Sequence, residues 1–110
     1  MELRTDLMKM ADLGRFRSVL ERYRNVPEIG IVFGLTDNAK ATWWDHEDEE
    51  QWEEMALLFV TKDRGDVLLA ADVFRSWAVE AHPGVPCYQV GPEDEDLPHG
   101  SSRYWLYILR

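Results

Sequence analysis

The sequence predicts an α+β fold: a small, mainly antiparallel β-sheet with two to three helices packed on one face. Three observations lead there. Residues 29–35 and 103–109 are apolar runs built from strand-favouring residue types. Residues 3–24 and 72–81 instead repeat their apolar side chains at three- and four-residue steps, the period of a helix. Clusters of turn-forming residues separate these segments. The 110 residues are read as one domain, 1–110, long enough to bury a core without disulfide or metal staples.

In the first helical segment Leu3, Leu7, Met10, Leu13, Phe16, Leu20 and Tyr23 form the stripe. Thr5 or Asp6 is the expected cap, Gly14 a weak point, and Asn25 with Pro27 the stop. The arginines at 15, 17, 22 and 24 fall largely off the stripe and read as a solvated face. In the strand 29–35, Ile29, Ile31, Phe33 and Leu35 share one side, and Gly30, Val32 and Gly34 the other. The two glycines leave room for a close approach, by a packed helix or else by a ligand.

Thr36-Asp37-Asn38-Ala39 is turn chemistry, and 40–44 reads as a short returning strand. Asp48 and Gln51 then resemble a capping box, with Trp52, Met55, Ala56 and Phe59 on one helical face. This favours a helix over 47–60. The rival is a strand at 54–61, because that run is apolar on both faces. Lys62 to Asp66 forms a turn, whose Arg-Gly-Asp triplet matches an adhesion motif by letters alone. Residues 67–71 pair as a hairpin if 54–61 is a strand, and otherwise open the next helix. Asp72 caps a helix whose buried stripe is Val73, Phe74, Trp77, Ala78 and Ala81, ended by His82-Pro83-Gly84. Pro86 puts the strand 85–90 at an edge. Residues 91–102 are a long loop, and 103–109 is an interior strand.

Charge is the sequence's most uneven property. The net charge of −9 argues against direct contact with nucleic acid. Residues 1–24 are net +2, whereas 43–66 are net −7. Within twelve residues, 43–54 hold seven carboxylates and three tryptophans. Asp45, Glu47, Asp48, Glu49, Glu50, Glu53 and Glu54 make one acidic cluster, and Glu93, Asp94, Glu95 and Asp96 a second. The partner-binding residues expected from this pattern are those eleven acids with Trp44 and Trp52.

Few catalytic classes fit. His46, His82 and His99 form no metal-binding pair, and the acidic run lacks the order of a calcium loop. No metal or cofactor is expected. Cys87 is alone, so it makes no internal disulfide, and it reads as a small buried hydrophobe. No nucleophile elbow, phosphate loop or dinucleotide fingerprint is present. The acids crowd into solvated runs, which disfavours the buried carboxylate that acid–base catalysis needs. The start of the chain lacks a signal peptide and no apolar run is long enough to span a membrane, so a cytoplasmic location is expected.

The function expected is therefore non-enzymatic. Carboxylates on adjacent helical turns lie about 5–6 Å apart. A protein that grips phosphates with Lys and Arg can accept such a surface in place of nucleic acid. In size and charge alone the chain is similar to small acidic inhibitors made by phages and other mobile elements, such as anti-restriction and anti-CRISPR proteins; no family motif accompanies the likeness. The alternatives are an immunity or adaptor module bound through its aromatics, and a small ligand-binding or enzymatic domain with a pocket near Gly30 and Gly34.

Overall fold

The computed structural model describes residues 1–8, 15–23 and 30–110. In chain order these form strand β1 (Glu2–Met8), helix α1 (Phe16–Leu20) with a 3-10 turn (Glu21–Tyr23), β2 (Ile31–Thr36) and α2 (Ala39–Glu47). Then come β3 (Glu54–Thr61), α3 (Arg64–Ala81), β4 (Cys87–Val90), a 3-10 turn (Asp94–Asp96) and β5 (Tyr104–Leu109). The fold is α+β, as expected. One five-stranded sheet runs in the order β1-β3-β5-β2-β4. The central strand β5 is antiparallel to both neighbours, while the outer strands β1 and β4 pair in parallel with β3 and β2. Thus β5 alone runs against the other four.

Strict alternation places β5 in the middle. Tyr104, Leu106 and Ile108 enter one core, and Tyr107 and Leu109 enter the other. A strand with apolar side chains on both faces suits the interior of a sheet covered on both sides, where its backbone groups are also paired along both edges. On the first face α1 and α3 cover the sheet, with Phe16, Val19 and Leu20 packed beside Val67, Ala71, Phe74, Trp77 and Ala78. The third helix, α2, lies on the opposite face, where Ala39 and Trp43 pack against Val32, Met55, Leu57, Tyr107 and Leu109. The two faces of β2 fall as its alternation predicts, with Ile31, Phe33 and Leu35 in the first core and Val32 in the second.

Several local expectations are corrected. The periodicity over 3–24 is not one helix: residues 2–8 are an edge strand and only 16–20 are α-helical. Leu3 is 45% exposed, so the apparent stripe was never one buried face. Thr5 and Asp6 sit within that strand and not at a helix start. Gly14 and the stop at Asn25 and Pro27 lie outside the described residues, as do Arg24 and Ile29.

Residues 40–44 are helix, not strand. Asn38 accepts a hydrogen bond from the Ala41 amide at 3.1 Å, an N-cap followed by the helix formers Ala39, Lys40 and Ala41. Consequently Asp48 ends a helix and does not begin one. The rival strand at 54–61 is the one that forms. Its register slips between Leu57 and Phe59, a bulge that sends both Leu58 and Phe59 into the first core. That slip blurred the alternation. Residues 67–71 belong to α3, which starts eight residues before Asp72 because Asp63 accepts from the Asp66 amide at 3.2 Å. A helical crossover thus follows β3, in place of the hairpin that went with the strand reading of 54–61. The stripe after Asp72 lies as read, with Phe74, Trp77 and Ala78 buried and Val73 and Ala81 partly so.

The loop after β4 is tied down. Arg64 donates to the carbonyls of Leu97 at 2.9 Å and Asp94 at 2.7 Å, so the Arg-Gly-Asp triplet is the first turn of α3 with its guanidinium already engaged. Leu97 is buried beneath the loop. Among the described residues no helix is long and apolar enough to cross a membrane.

Candidate functional site

Helix α2 begins beyond the C-terminal end of β2, crosses the second face and delivers its C-terminus to the start of β3. Because β2, β3 and β4 run in parallel, the first acidic segment lies at one end of the sheet. The second segment follows β4 and lies at the opposite end. The structure therefore does not join the eleven acids into one face.

Within the first segment the carboxylates divide by role. Asp45, Asp48, Glu50 and Glu53 are exposed and, among the described residues, form no ion pair. Glu47 stands 4.0 Å from the Met1 amino group. Glu54 is turned inward, accepting from Arg110 Nε at 2.5 Å with Arg4 at 3.5 Å. It ties the start of β3 to β1 on one side and to the end of β5 on the other, so its carboxylate is already engaged within the fold. Trp44 is 55% exposed beside Asp45, whereas Trp43 and Trp52 pack into the second core. Trp43 and Trp44 meet edge to face at 6.0 Å.

Glu49 holds this segment to the sheet. One carboxylate oxygen accepts from Trp52 Nε1 at 2.7 Å and from Gln51 Nε2 at 3.2 Å. The other accepts from His46 Nδ1 at 3.1 Å. The far ring nitrogen of His46 meets the Tyr107 hydroxyl at 2.9 Å. A carboxylate only accepts, so Nδ1 carries a proton, and in the neutral ring Nε2 accepts from the phenol. The indole bond, with help from Gln51 and His46, holds the Glu49 carboxyl below its ordinary value despite some desolvation. Burial pushes the Tyr107 phenol well above its ordinary value, and the charges of Glu49 and Asp45 add to the shift.

Carboxylate, imidazole and hydroxyl stand in the order of a nucleophile relay. Tyr107 is 0% exposed and held protonated, so this chain of bonds anchors the segment and presents no attacking oxygen to a substrate. Sequence reasoning missed it. The available clue was Gly34, read correctly as a point of close approach: helix α2 packs on that side as expected, but the group nearest the glycine is the Tyr107 hydroxyl. A Cβ there would lie 2.3 Å from the Tyr107 hydroxyl. At Gly30 the nearby space holds the Tyr88 ring, 2.9 Å from such a Cβ. The space immediately over the two glycines is filled by the neighbouring strands' Tyr107 and Tyr88.

In the second segment Asp94 accepts from Arg75 at 2.7 Å and Gln89 at 3.0 Å. Burial there works to raise its carboxyl, but these bonds and the charges of Arg75 and Arg64 prevail and hold it low. Glu93, Glu95 and Asp96 are exposed. Arg75, Gln89, Glu93, Asp94 and Glu95 line an open depression of about 410 Å³. The Arg75 guanidinium in it is already bonded on both sides, to Asp72 and Asp94.

Cys87 is exposed on the edge strand, contrary to the buried position expected, because β4 is covered on one side only. Desolvation against the strand pushes its thiol up despite the nearby Arg75, which disfavours the thiolate. Among the described residues no three His, Cys, Asp or Glu side chains gather where they could hold a metal ion. No protein family, curated protein or solved structure matches this chain.

Proposed function

We propose that this chain is a non-enzymatic binding protein that offers the α2 acidic end to a basic surface of a partner, one that otherwise grips nucleic acid. One observation carries the reading. Asp45, Glu47 and Asp48 sit in the last turn of α2 and at its C-cap, where the helix dipole disfavours negative charge. Two residues on, Glu50 adopts φ 56°, a left-handed conformation suited to glycine or asparagine. Local stability would choose other residues at each position. Departures from local rules concentrate where function selects the side chains.

The exposed set is Asp45, Asp48, Glu50 and Glu53 with Trp44 beside it, an aromatic anchor within a charged rim. Because the two acidic segments lie at opposite ends of the sheet, this reading assigns the contact to the first. Glu93 to Asp96 then act chiefly through the overall field of the molecule. A second reading, an adaptor bound through its aromatics, draws support from the exposure of Trp44.

The test uses a deca-arginine peptide bound to a single-stranded oligonucleotide. The wild-type chain is expected to displace the oligonucleotide, with an effect that fades as salt rises. Replacing Asp45, Asp48, Glu50 and Glu53 together by Lys is expected to abolish displacement. Undiminished displacement by that variant defeats the reading. Loss on Trp44→Ala alone, insensitive to salt, transfers support to the adaptor.

A further inference from the structure

We infer that His46 and Tyr107 are positioning residues that hold the acidic turn in its binding geometry; the inference rests on the acidic end of α2 being the binding surface. Residues 48–53 join α2 to β3. Among the described residues, the backbone hydrogen bonds of this turn stop at Glu50, whose amide donates to Glu47, and resume at Glu53, whose amide donates to the Arg110 carbonyl. Gln51 and Trp52 lie in the gap. The Trp52 ring packs against the second core, and the Glu49 side chain, which accepts from both residues, supplies their side-chain hydrogen bonds. Glu49 is exposed and unable to stay fixed by packing, but its second oxygen is bonded to His46, which is only 8% exposed. His46 is fixed in turn by Tyr107 on the central strand, in the space left by Gly34.

Order therefore passes from the central strand of the sheet to an exposed turn through three side chains. Preorganisation of this kind raises affinity by removing the entropy cost of ordering the turn on binding. It also reassigns Glu49, whose two carboxylate oxygens are engaged by its neighbours, while the flanking Asp48 and Glu50 are exposed and form no ion pair among the described residues. Removing the Tyr107 hydroxyl takes away no charge and touches no partner, so any effect on binding has to pass through the turn.

Tyr107→Phe tests this directly. Two quantities are read, the solvent exchange of the Trp52 indole N–H by NMR and the affinity for the deca-arginine peptide. Indole exchange is expected to quicken by about tenfold or more as the turn loosens. Affinity is expected to fall about threefold to tenfold, with its salt dependence unchanged because the charge is unchanged. Unchanged exchange overturns the inference, and so does faster exchange with undiminished affinity. If the wild-type chain does not bind the peptide, the binding reading fails, while indole exchange still decides whether the latch exists. Should Tyr107→Phe not fold, Trp52→Phe cuts the latch at its outer end. Faster amide exchange at Gln51 and Glu53 with weaker peptide binding then supports the inference, and the absence of either change overturns it.

Discussion

The Tyr107 hydroxyl reaches Nε2 of His46 at 2.9 Å only because residue 34 has no side chain. An added methyl would lie 2.3 Å from that hydroxyl and 2.4 Å from the ring carbon bearing it. The obstacle is a rigid ring in a filled core, so it cannot swing away without moving the sheet. Gly34→Ala is therefore expected to destabilise the protein by about 1–3 kcal/mol or more. Urea unfolding measures this. A neutral effect would mean that the ring has space to retreat and that the glycine is not needed for the approach.

Gly34 also shows how far the sequence could be read. Its position in the strand and the side it faced followed from alternation alone, and both are as expected. Its neighbour did not follow, because strand order is set by long-range pairing that one sequence does not display. The same limit explains 40–44 and 54–61. Trp43 and Trp44 suggested a strand by residue type, yet the cap at Asn38 decides for helix. In 54–61 an extra residue at the bulge broke the period that would have announced a strand. The acidic surface was legible as composition. Which carboxylates are free was not, since Glu54 and Asp94 meet Arg110 and Arg75, partners 56 and 19 residues away.

Glu54 is one of those engaged carboxylates, and its removal is expected to weaken the sheet rather than the binding surface. Its side chain is 12% exposed, with Arg110 at 2.5 Å and Arg4 at 3.5 Å. Truncating one member of a largely buried pair leaves the other charge poorly compensated. Glu54→Ala is expected to cost about 1–3 kcal/mol in urea unfolding, discounted for partial solvent access. Peptide binding by the folded fraction is expected to stay near wild type. The reverse pattern, stable protein with lost binding, would place Glu54 back among the contact residues.

The pH dependence of stability follows from three groups. The folded-state pKa of Glu49 lies below its ordinary 4.5 and that of Asp94 below its ordinary 3.8. A depressed carboxyl adds stability above its unfolded pKa and loses it as pH falls through the folded value. Stability is thus expected to decline as pH drops below the ordinary carboxylate range. Tyr107 shifts the other way, above its ordinary 10.0. Its contribution is present below that value and is lost as pH rises beyond it. Urea midpoints across pH measure both limbs. Asp94→Asn is expected to flatten the acid limb and Tyr107→Phe the alkaline one. Limbs unaltered by either change would assign the pH dependence to other groups.

Glu50 offers a test in which stability and binding move apart. Its φ of 56° places a side-chain-bearing residue in the left-handed region, just past the end of α2. For an L-residue this conformation costs about 1–2 kcal/mol, part of which glycine returns through its own greater freedom when unfolded. Glu50→Gly is therefore expected to stabilise the protein by about 0.5–1 kcal/mol. The same change deletes a solvent-facing carboxylate from the proposed surface, so affinity for the deca-arginine peptide is expected to fall. Glu50→Asn, which tolerates the backbone and lacks the charge, is expected to give a smaller gain in stability with the same loss of binding. A more stable protein that binds less well is the signature of a residue kept for its contact. If Glu50→Gly instead lowers stability, the carboxylate is a structural element of the turn, and the main support for a selected acidic surface is gone.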